Sequence, residues 1–267
     1  VLSSDSLHSQ GVYGLVSNLG SLAVRCILQP FEEAAFILFS KLRSRSRRPA
    51  ELGPAFALVA KAALVLGLTV VAFGPPYSYV LLRLLYGQRW SATEAPEVLG
   101  YYCVYVGSLA LNGITEAFSH AVMTPPQLQR SNVAMLVLSA LAIGGNVYGV
   151  RRAAAQGLIV ANTLHMCLRV AYSVFVTRDQ LLVRSGQGQT ALAAALPGMP
   201  LWLSLGTIGI VLRISEAVAH TGESFLVSGA RHILVGLGSL AILLAVIWYT
   251  EASFCRQMLQ QLRPKRD

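Results

Sequence analysis

Charge is what this chain has least of. Only 12% of its 267 residues are Asp, Glu, Lys or Arg, against about 25% in a typical soluble globular domain. With 54% apolar residues and a mean hydropathy of +0.57, it lacks the polar side chains needed to cover its own surface, so lipid is the solvent its composition calls for. Acids are scarce: twelve in all, with Glu32/Glu33 and Glu94/Glu97 the close pairs. A carboxylate dyad or a divalent-metal cluster is hard to assemble from so few. The phosphate-binding G-x-x-x-x-G-K-[ST], the zinc-protease H-E-x-x-H, the hydrolase elbow G-x-S-x-G and a dinucleotide G-x-G-x-x-G are all missing. These absences argue against an ATP-driven pump or a metal-dependent transferase; the expectation is a protein that is no enzyme and uses no cofactor. Cys26, Cys103, Cys167 and Cys255 make no C-x-x-C pair, so neither a disulfide framework nor a zinc site is expected, and the thiols read as buried and free.

The basic excess is +9. In a soluble protein it would hint at nucleic acid; here the cations are expected in short loops as topology signals, with no nucleic-acid partner. The chain opens at Val1 on a polar segment, 1–10, without the layout of a secretory signal. It reads as the luminal start of a piece of a longer protein.

About seven stretches are long and apolar enough to span a bilayer: 11–39, 55–74, 98–123, 132–150, 155–176, 200–219 and 227–254. Their continuous apolar runs, without period-two alternation, argue helices over barrel strands. The predicted fold is an all-α, polytopic transmembrane helix bundle: five spans over 11–176, a cytosolic loop at 177–198, two more spans over 199–255 and a basic cytosolic tail at 256–267. The second span is expected to stop at Pro75-Pro76, and Pro125-Pro126 to close the third. Loop cations divide twelve to five: Lys41, Arg43, Arg45, Arg47, Arg48, Arg130, Arg178, Arg184, Arg256, Arg263, Lys265 and Arg266 against Arg83, Arg89, Arg151, Arg152 and Arg231. The richer side reads as cytosolic, C-terminus included.

Arg25, Lys61, Arg169 and Arg213 are left inside or at the ends of spans. A charge at mid-membrane costs about 2.5–3.5 kcal/mol on insertion scales and usually faces a bundle interior or a watery cavity. In the first span Asn18, Arg25, Gln29, Glu32 and Glu33 recur at helical offsets that stack most of them on one face, with Pro30 among them to bend or loosen the helix. In the third, Asn112, Glu116 and His120 follow at i, i+4 and i+8, beside Gly107, Ser108 and Gly113, small enough for close helix approach. The fifth puts Asn162, His165 or Met166, and Arg169 on one face. Arg213, Glu216 and His220 in the sixth read as an internally paired structural set, Lys61 as a snorkelling cation, and Gly145 with Gly149 as a packing contact. Paired arginines suit a phosphate-bearing or other anionic substrate; a channel or carrier for a small ion fits the same pattern.

The stretch QGVYGLVSNLGSLAVRCILQPFEEAAFILFSKL at 10–42 resembles the Rft family of eukaryotic endoplasmic-reticulum proteins associated with flipping a dolichol-linked oligosaccharide. YCVYVGSLALNGITEAFSHAVM at 102–123 and IVANTLHMCLRVAYS at 159–173 are similar to it as well. The resemblance covers nearly the whole chain but only the C-terminal half of the family, whose members have two lobes, so it implies a missing N-terminal lobe of the same protein. It further implies an endoplasmic-reticulum membrane protein that translocates the five-mannose diphosphodolichol intermediate for protein N-glycosylation by ATP-independent alternating access. The partners it implies are the dolichol-diphosphate oligosaccharide and membrane lipid. Arg25, Gln29, Glu32, Glu33, Asn112, Glu116, Asn162 and Arg169 fall on its similar stretches: the arginines are expected to hold pyrophosphate, the glutamates to pair them in the empty state, the asparagines to contact sugar hydroxyls. The alternative is a non-transporting accessory protein supporting use of the same lipid.

Overall fold

Long apolar runs leave the backbone no lipid partner for its N–H and C=O groups, so each run closes its own hydrogen bonds as a helix. The structure is a computed structural model that describes residues 4–44, 51–186, 188–219 and 224–262, and among these no strand occurs. In chain order the helices are α1 (Ser4–Ala23), a π-helical turn (Val24–Leu28), α2 (Gln29–Ser44), α3 (Leu52–Tyr86), α4 (Gln88–Ser91), α5 (Ala95–Val122), α6 (Pro125–Ser185), α7 (Gly188–Ala195), α8 (Met199–Ala219), α9 (Phe225–Thr250) and α10 (Ala252–Leu262). Among the described residues, six helical runs are long and apolar enough to cross a membrane. One of them, within α6, reverses at Ala153 (φ −147°) and Ala154 (φ 43°). The hairpin closes tightly because Gly149 packs against the Gly157 backbone. Counting its two limbs separately gives seven membrane-length helical runs among the described residues, in line with the about seven expected; the glycine contact that holds the hairpin is Gly149 with Gly157, whereas Gly145 faces open space.

The prolines do different work from that expected. Pro75 and Pro76 lie inside α3, which runs on to Tyr86 and ends at Gly87, whose φ of 73° suits glycine. Membrane helices tolerate proline where neighbours satisfy the loosened backbone. The prolines free the carbonyls of Val71 and Ala72; close by, Ser78 Oγ donates to the Gly74 carbonyl at 3.0 Å, and His232 on α9 donates from Nε2 to the Pro76 carbonyl at 3.1 Å, tying α3 to α9 at the kink-prone turn. Pro125 and Pro126 start α6, where their missing donors cost nothing, behind a Thr124 capping box with Gln127.

Two stretches read as connecting segments are helical. The segment 1–10 joins α1 from Ser4 onward, and 177–198 holds the end of α6 and all of α7. Gly188, Ala191 and Ala195 form a small-residue face of α7 buried in the bundle, which the low hydropathy of the intervening Gln and Thr concealed. Cys26 and Cys167 are exposed on their helices rather than buried. His220 and the loop and tail cations Arg45, Arg47, Arg48, Arg263, Lys265 and Arg266 lie outside the described residues.

Lipid tails are as apolar as Leu, so these helices associate through packing and polar contacts more than through a hydrophobic drive. Phe39 of α2, Phe56 of α3 and Phe118 of α5 meet edge-on, with centroids 5.1 Å apart for Phe39–Phe118 and 4.9 Å for Phe56–Phe118. Gly67 and Gly107 bring the α3 and α5 backbones together: a Cβ at Gly67 would stand 2.7 Å from the Gly107 carbonyl oxygen. Arg43, from the last turn of α2, donates to the Ala121 and Met123 carbonyls at 3.0 and 3.1 Å, which puts a cation on the α5 C-terminus. Together these contacts fix α2 and α5 side by side, and with them the polar stripes.

Candidate functional site

Pro30 has no N–H to give to residue 26, and its ring crowds that carbonyl. The helix absorbs the defect one turn earlier: residues 24–28 widen into a π turn, where the Gln29 amide bonds the Val24 carbonyl, and such bulges are a regular way of relieving a local mismatch. Arg25 sits in this turn. Its side chain is exposed and has no hydrogen-bond or ion-pair partner among the described residues, so the expected pairing with Glu32 or Glu33 does not form. One turn on, Gln29 Nε2 donates instead to Glu33 Oε1 at 3.2 Å, and both residues are exposed.

The α5 and α6 stripes do meet. Arg169 donates from Nε and Nη2 to Glu116 Oε1 at 3.1 and 2.6 Å, with side chains 25% and 19% exposed. Both donors converge on one carboxylate oxygen, which leaves Oε2 of Glu116 and Nη1 of Arg169 for other partners. One helix turn from Glu116, Asn112 is buried at 7% exposure and its Oδ1 accepts no hydrogen bond from any described residue. Asn162 is half-buried on the α6 limb that carries Arg169.

Glu32 faces α5. Gly113 makes the room, since a Cβ there would stand 2.7 Å from Glu32 Oε2. Between α2 and α5 opens a cavity of about 350 Å³ walled by Glu32, Glu33, Glu116 and His120 with Phe36, Ile37 and Ala117. The stripes therefore form an acidic cavity and, beside it, one arginine–glutamate pair. Arg25, Gln29 and the two asparagines lie outside the cavity walls, so the stripes form a set of adjoining polar patches in this bundle.

Two polar centres escaped the sequence reading. Lys61 Nζ lies 2.8 Å from Glu251 Oε2, and Glu251 Oε1 accepts the Gly198 amide at 2.6 Å. That carboxylate joins α3 to the turns before α8 and after α9. Burial alone would raise the Glu251 pKa, but the bond and charge of Lys61 and the Gly198 N–H outweigh it and hold the pKa below its ordinary value. The available signal was complementary loneliness: one cation in the second span, one acid at the end of the seventh. The other centre is His232, 1% exposed, stacked on Tyr77 with centroids 4.2 Å apart and 2.8 Å from Ser215 Oγ through Nδ1. In the sixth span Arg213 pairs with Glu216 at 2.9 Å as expected.

Comparison with known proteins adds identity to this geometry. A family model described as Rft protein matches residues 1–261. The Man(5)GlcNAc(2)-PP-dolichol translocation protein RFT1 of Xenopus tropicalis is 32% identical over 239 residues, covering 86% of this chain and 44% of that protein. The Mus musculus protein of the same name is 30% identical over 271 residues, 96% of this chain and 48% of the relative, and that of Kluyveromyces lactis is 29% identical over 261 residues. The chain spans about half the length of the curated relatives it matches. No solved structure matches. An all-α bundle of membrane-length helices, with a family match running through all of them, leaves one conclusion: the chain belongs to the Rft protein family.

Proposed function

We propose that this chain is the C-terminal lobe of a lipid-linked oligosaccharide transporter in the endoplasmic-reticulum membrane. Its substrate is the five-mannose diphosphodolichol intermediate of N-glycosylation, and it acts by alternating access without ATP, opposite an N-terminal lobe of the same protein. The observation that carries the reading is the largely buried Arg169–Glu116 pair in a bundle whose span charges are few. A charge kept inside an apolar bundle marks a pathway or a site, and a guanidinium that gives two donors to one carboxylate oxygen exchanges readily for phosphate oxygens of like geometry. The names of the relatives support the same substrate.

Arg25 and Arg169 hold the pyrophosphate. Glu116 neutralises Arg169 between substrates, Glu32 and Glu33 line the approach, Gln29 orients Glu33, and Asn112 and Asn162 offer amides to sugar hydroxyls. Arg25, on the exposed face of a π turn, is placed to meet the opposite lobe, and the turn is the point at which the first span flexes. The twelve-to-five division of loop cations orients the C-terminus toward the cytosol. Loading full-length protein in detergent with a short-chain dolichol-diphosphate glycan tests the assignment. Arg25→Ala and Arg169→Ala are each expected to weaken binding at least several-fold while membrane insertion and yield stay normal. Unchanged affinity in both would remove the arginines from the substrate site.

A further inference from the structure

At the end of the bundle that carries the α5 N-terminus, a polar cavity of about 720 Å³ lies between α3, the α4–α5 turn and α8. It is well away from the α2–α5 cavity and shares no residue with it. Its walls carry one cation, Arg213, against three carboxylates, Glu94, Glu97 and Glu216, with the rings of Tyr79 and Tyr101 beside them. Arg213 gives Nη1 to Glu216 Oε2 at 2.9 Å, and its remaining donors meet no described residue. The Ser91 hydroxyl lines the same cavity, is 4% exposed and has no hydrogen-bond partner among the described residues. A buried hydroxyl left without a partner is costly, and a bound polar group would offset that cost.

A second cavity, about 540 Å³ and almost wholly apolar, continues from the first through Pro75 and Arg213, which line both. It runs along α3 and α8 past Leu68, Val71, Trp202 and Ile210. Gly206 and Gly209 form its α8 wall, and nothing stands within 4 Å of the Cβ position of either. The pair of cavities therefore has the plan of a membrane lipid: a polar end at the helix termini, an apolar slot reaching into the span, and an arginine at the junction where a phosphate sits.

We propose that this joined groove binds one zwitterionic glycerophospholipid, with its phosphate on Arg213, its ammonium between Glu94, Glu97 and the tyrosine rings, and one acyl chain in the slot floored by Gly206 and Gly209. The charge count selects the headgroup. A single guanidinium satisfies one phosphate, the surplus carboxylates attract an ammonium, and tyrosine faces favour alkylammonium cations. An anionic headgroup with no ammonium would meet those carboxylates with repulsion alone.

The test uses the purified full chain in maltoside micelles, titrated with dioleoyl phosphatidylethanolamine, phosphatidylcholine and phosphatidylglycerol, with retained lipid counted by native mass spectrometry. The wild-type chain is expected to keep one molecule of either zwitterionic lipid several-fold better than phosphatidylglycerol. Glu94→Gln/Glu97→Gln is expected to erase that preference, and Arg213→Gln to lower retention of all three lipids. Gly206→Leu/Gly209→Leu fills the slot without touching a charge and is expected to lower retention too; it carries the test if Arg213→Gln fails to fold, and thermal unfolding reports folding for every variant. Equal or better retention of phosphatidylglycerol by the wild-type chain overturns the headgroup assignment. Retention unchanged by the glycine substitutions overturns the site.

Discussion

At the scale of single residues, the decisive quantity is what a group loses when its partner goes. Arg169 and Glu116 are each about four-fifths hidden from solvent. Removing one member of a fully buried pair costs about 3–5 kcal/mol and of an exposed pair less than about 1, so Glu116→Gln is expected to destabilise the bundle by about 2 kcal/mol in chemical unfolding. The double variant with Arg169→Gln should recover most of that loss, because the penalty lies in the stranded cation. Gly67 poses a steric rather than electrostatic constraint. Its missing Cβ would meet a backbone oxygen, not a pliable side chain, so Gly67→Ala must push α3 and α5 apart and is expected to cost about 1–3 kcal/mol. Glu251 supplies a pH dependence. Its folded pKa lies below the ordinary 4.5, so its contribution is complete above that value and is lost as pH falls through the lowered one. The stability gap between wild type and Lys61→Met is therefore expected to narrow on acidification below pH 4.5, as urea titrations at several pH values would show.

Among elements, the first span shows what patterning reveals and what it hides. Helical offsets alone put Asn112 with Glu116, and Asn162 with Arg169, on shared faces, and the structure keeps those faces. They did not say which stripe faces which, because partner choice depends on packing between helices far apart in sequence. Arg169 pairs with an acid 53 residues away rather than with the acids of the first span. Lys61 and Glu251 are separated by 190 residues, beyond any local period. Prolines misled for a related reason. A Pro pair is a stop signal in water, but α3 runs through Pro75 and Pro76 to Tyr86, as helices inside a membrane bundle tolerate. At Pro30 the same difficulty is met by the π turn. Pro30→Ala restores the donor and removes the ring, so amides across 24–30 are expected to gain hydrogen-exchange protection as the span regularises. Unaltered exchange there would mean that the turn has a cause other than proline.

For the molecule as a whole, the apolar composition already required a polytopic helical protein, and residue patterns located each crossing, although α3 runs on to Tyr86, well past its expected end at Gly74. What the sequence could not display is how much of the polar surface stays open. Arg25, Gln29 and Glu33 are exposed on the first span, and the most apolar stretch of α6 has no residue buried within the bundle. An apolar stretch belongs against lipid and needs no further cover, whereas an unpaired arginine in a span needs a polar partner. In the proposed function that partner comes from a second lobe; the curated relatives are about twice as long as this chain. The measurement that bears most directly on the account is reconstitution of the full-length protein into sealed vesicles loaded with five-mannose diphosphodolichol, scoring the fraction of lipid that becomes accessible on the opposite face. Translocation should depend on the protein, proceed without ATP and collapse in the Arg25→Ala/Arg169→Ala double variant. Equal translocation by protein-free vesicles, by wild type and by that variant would contradict it.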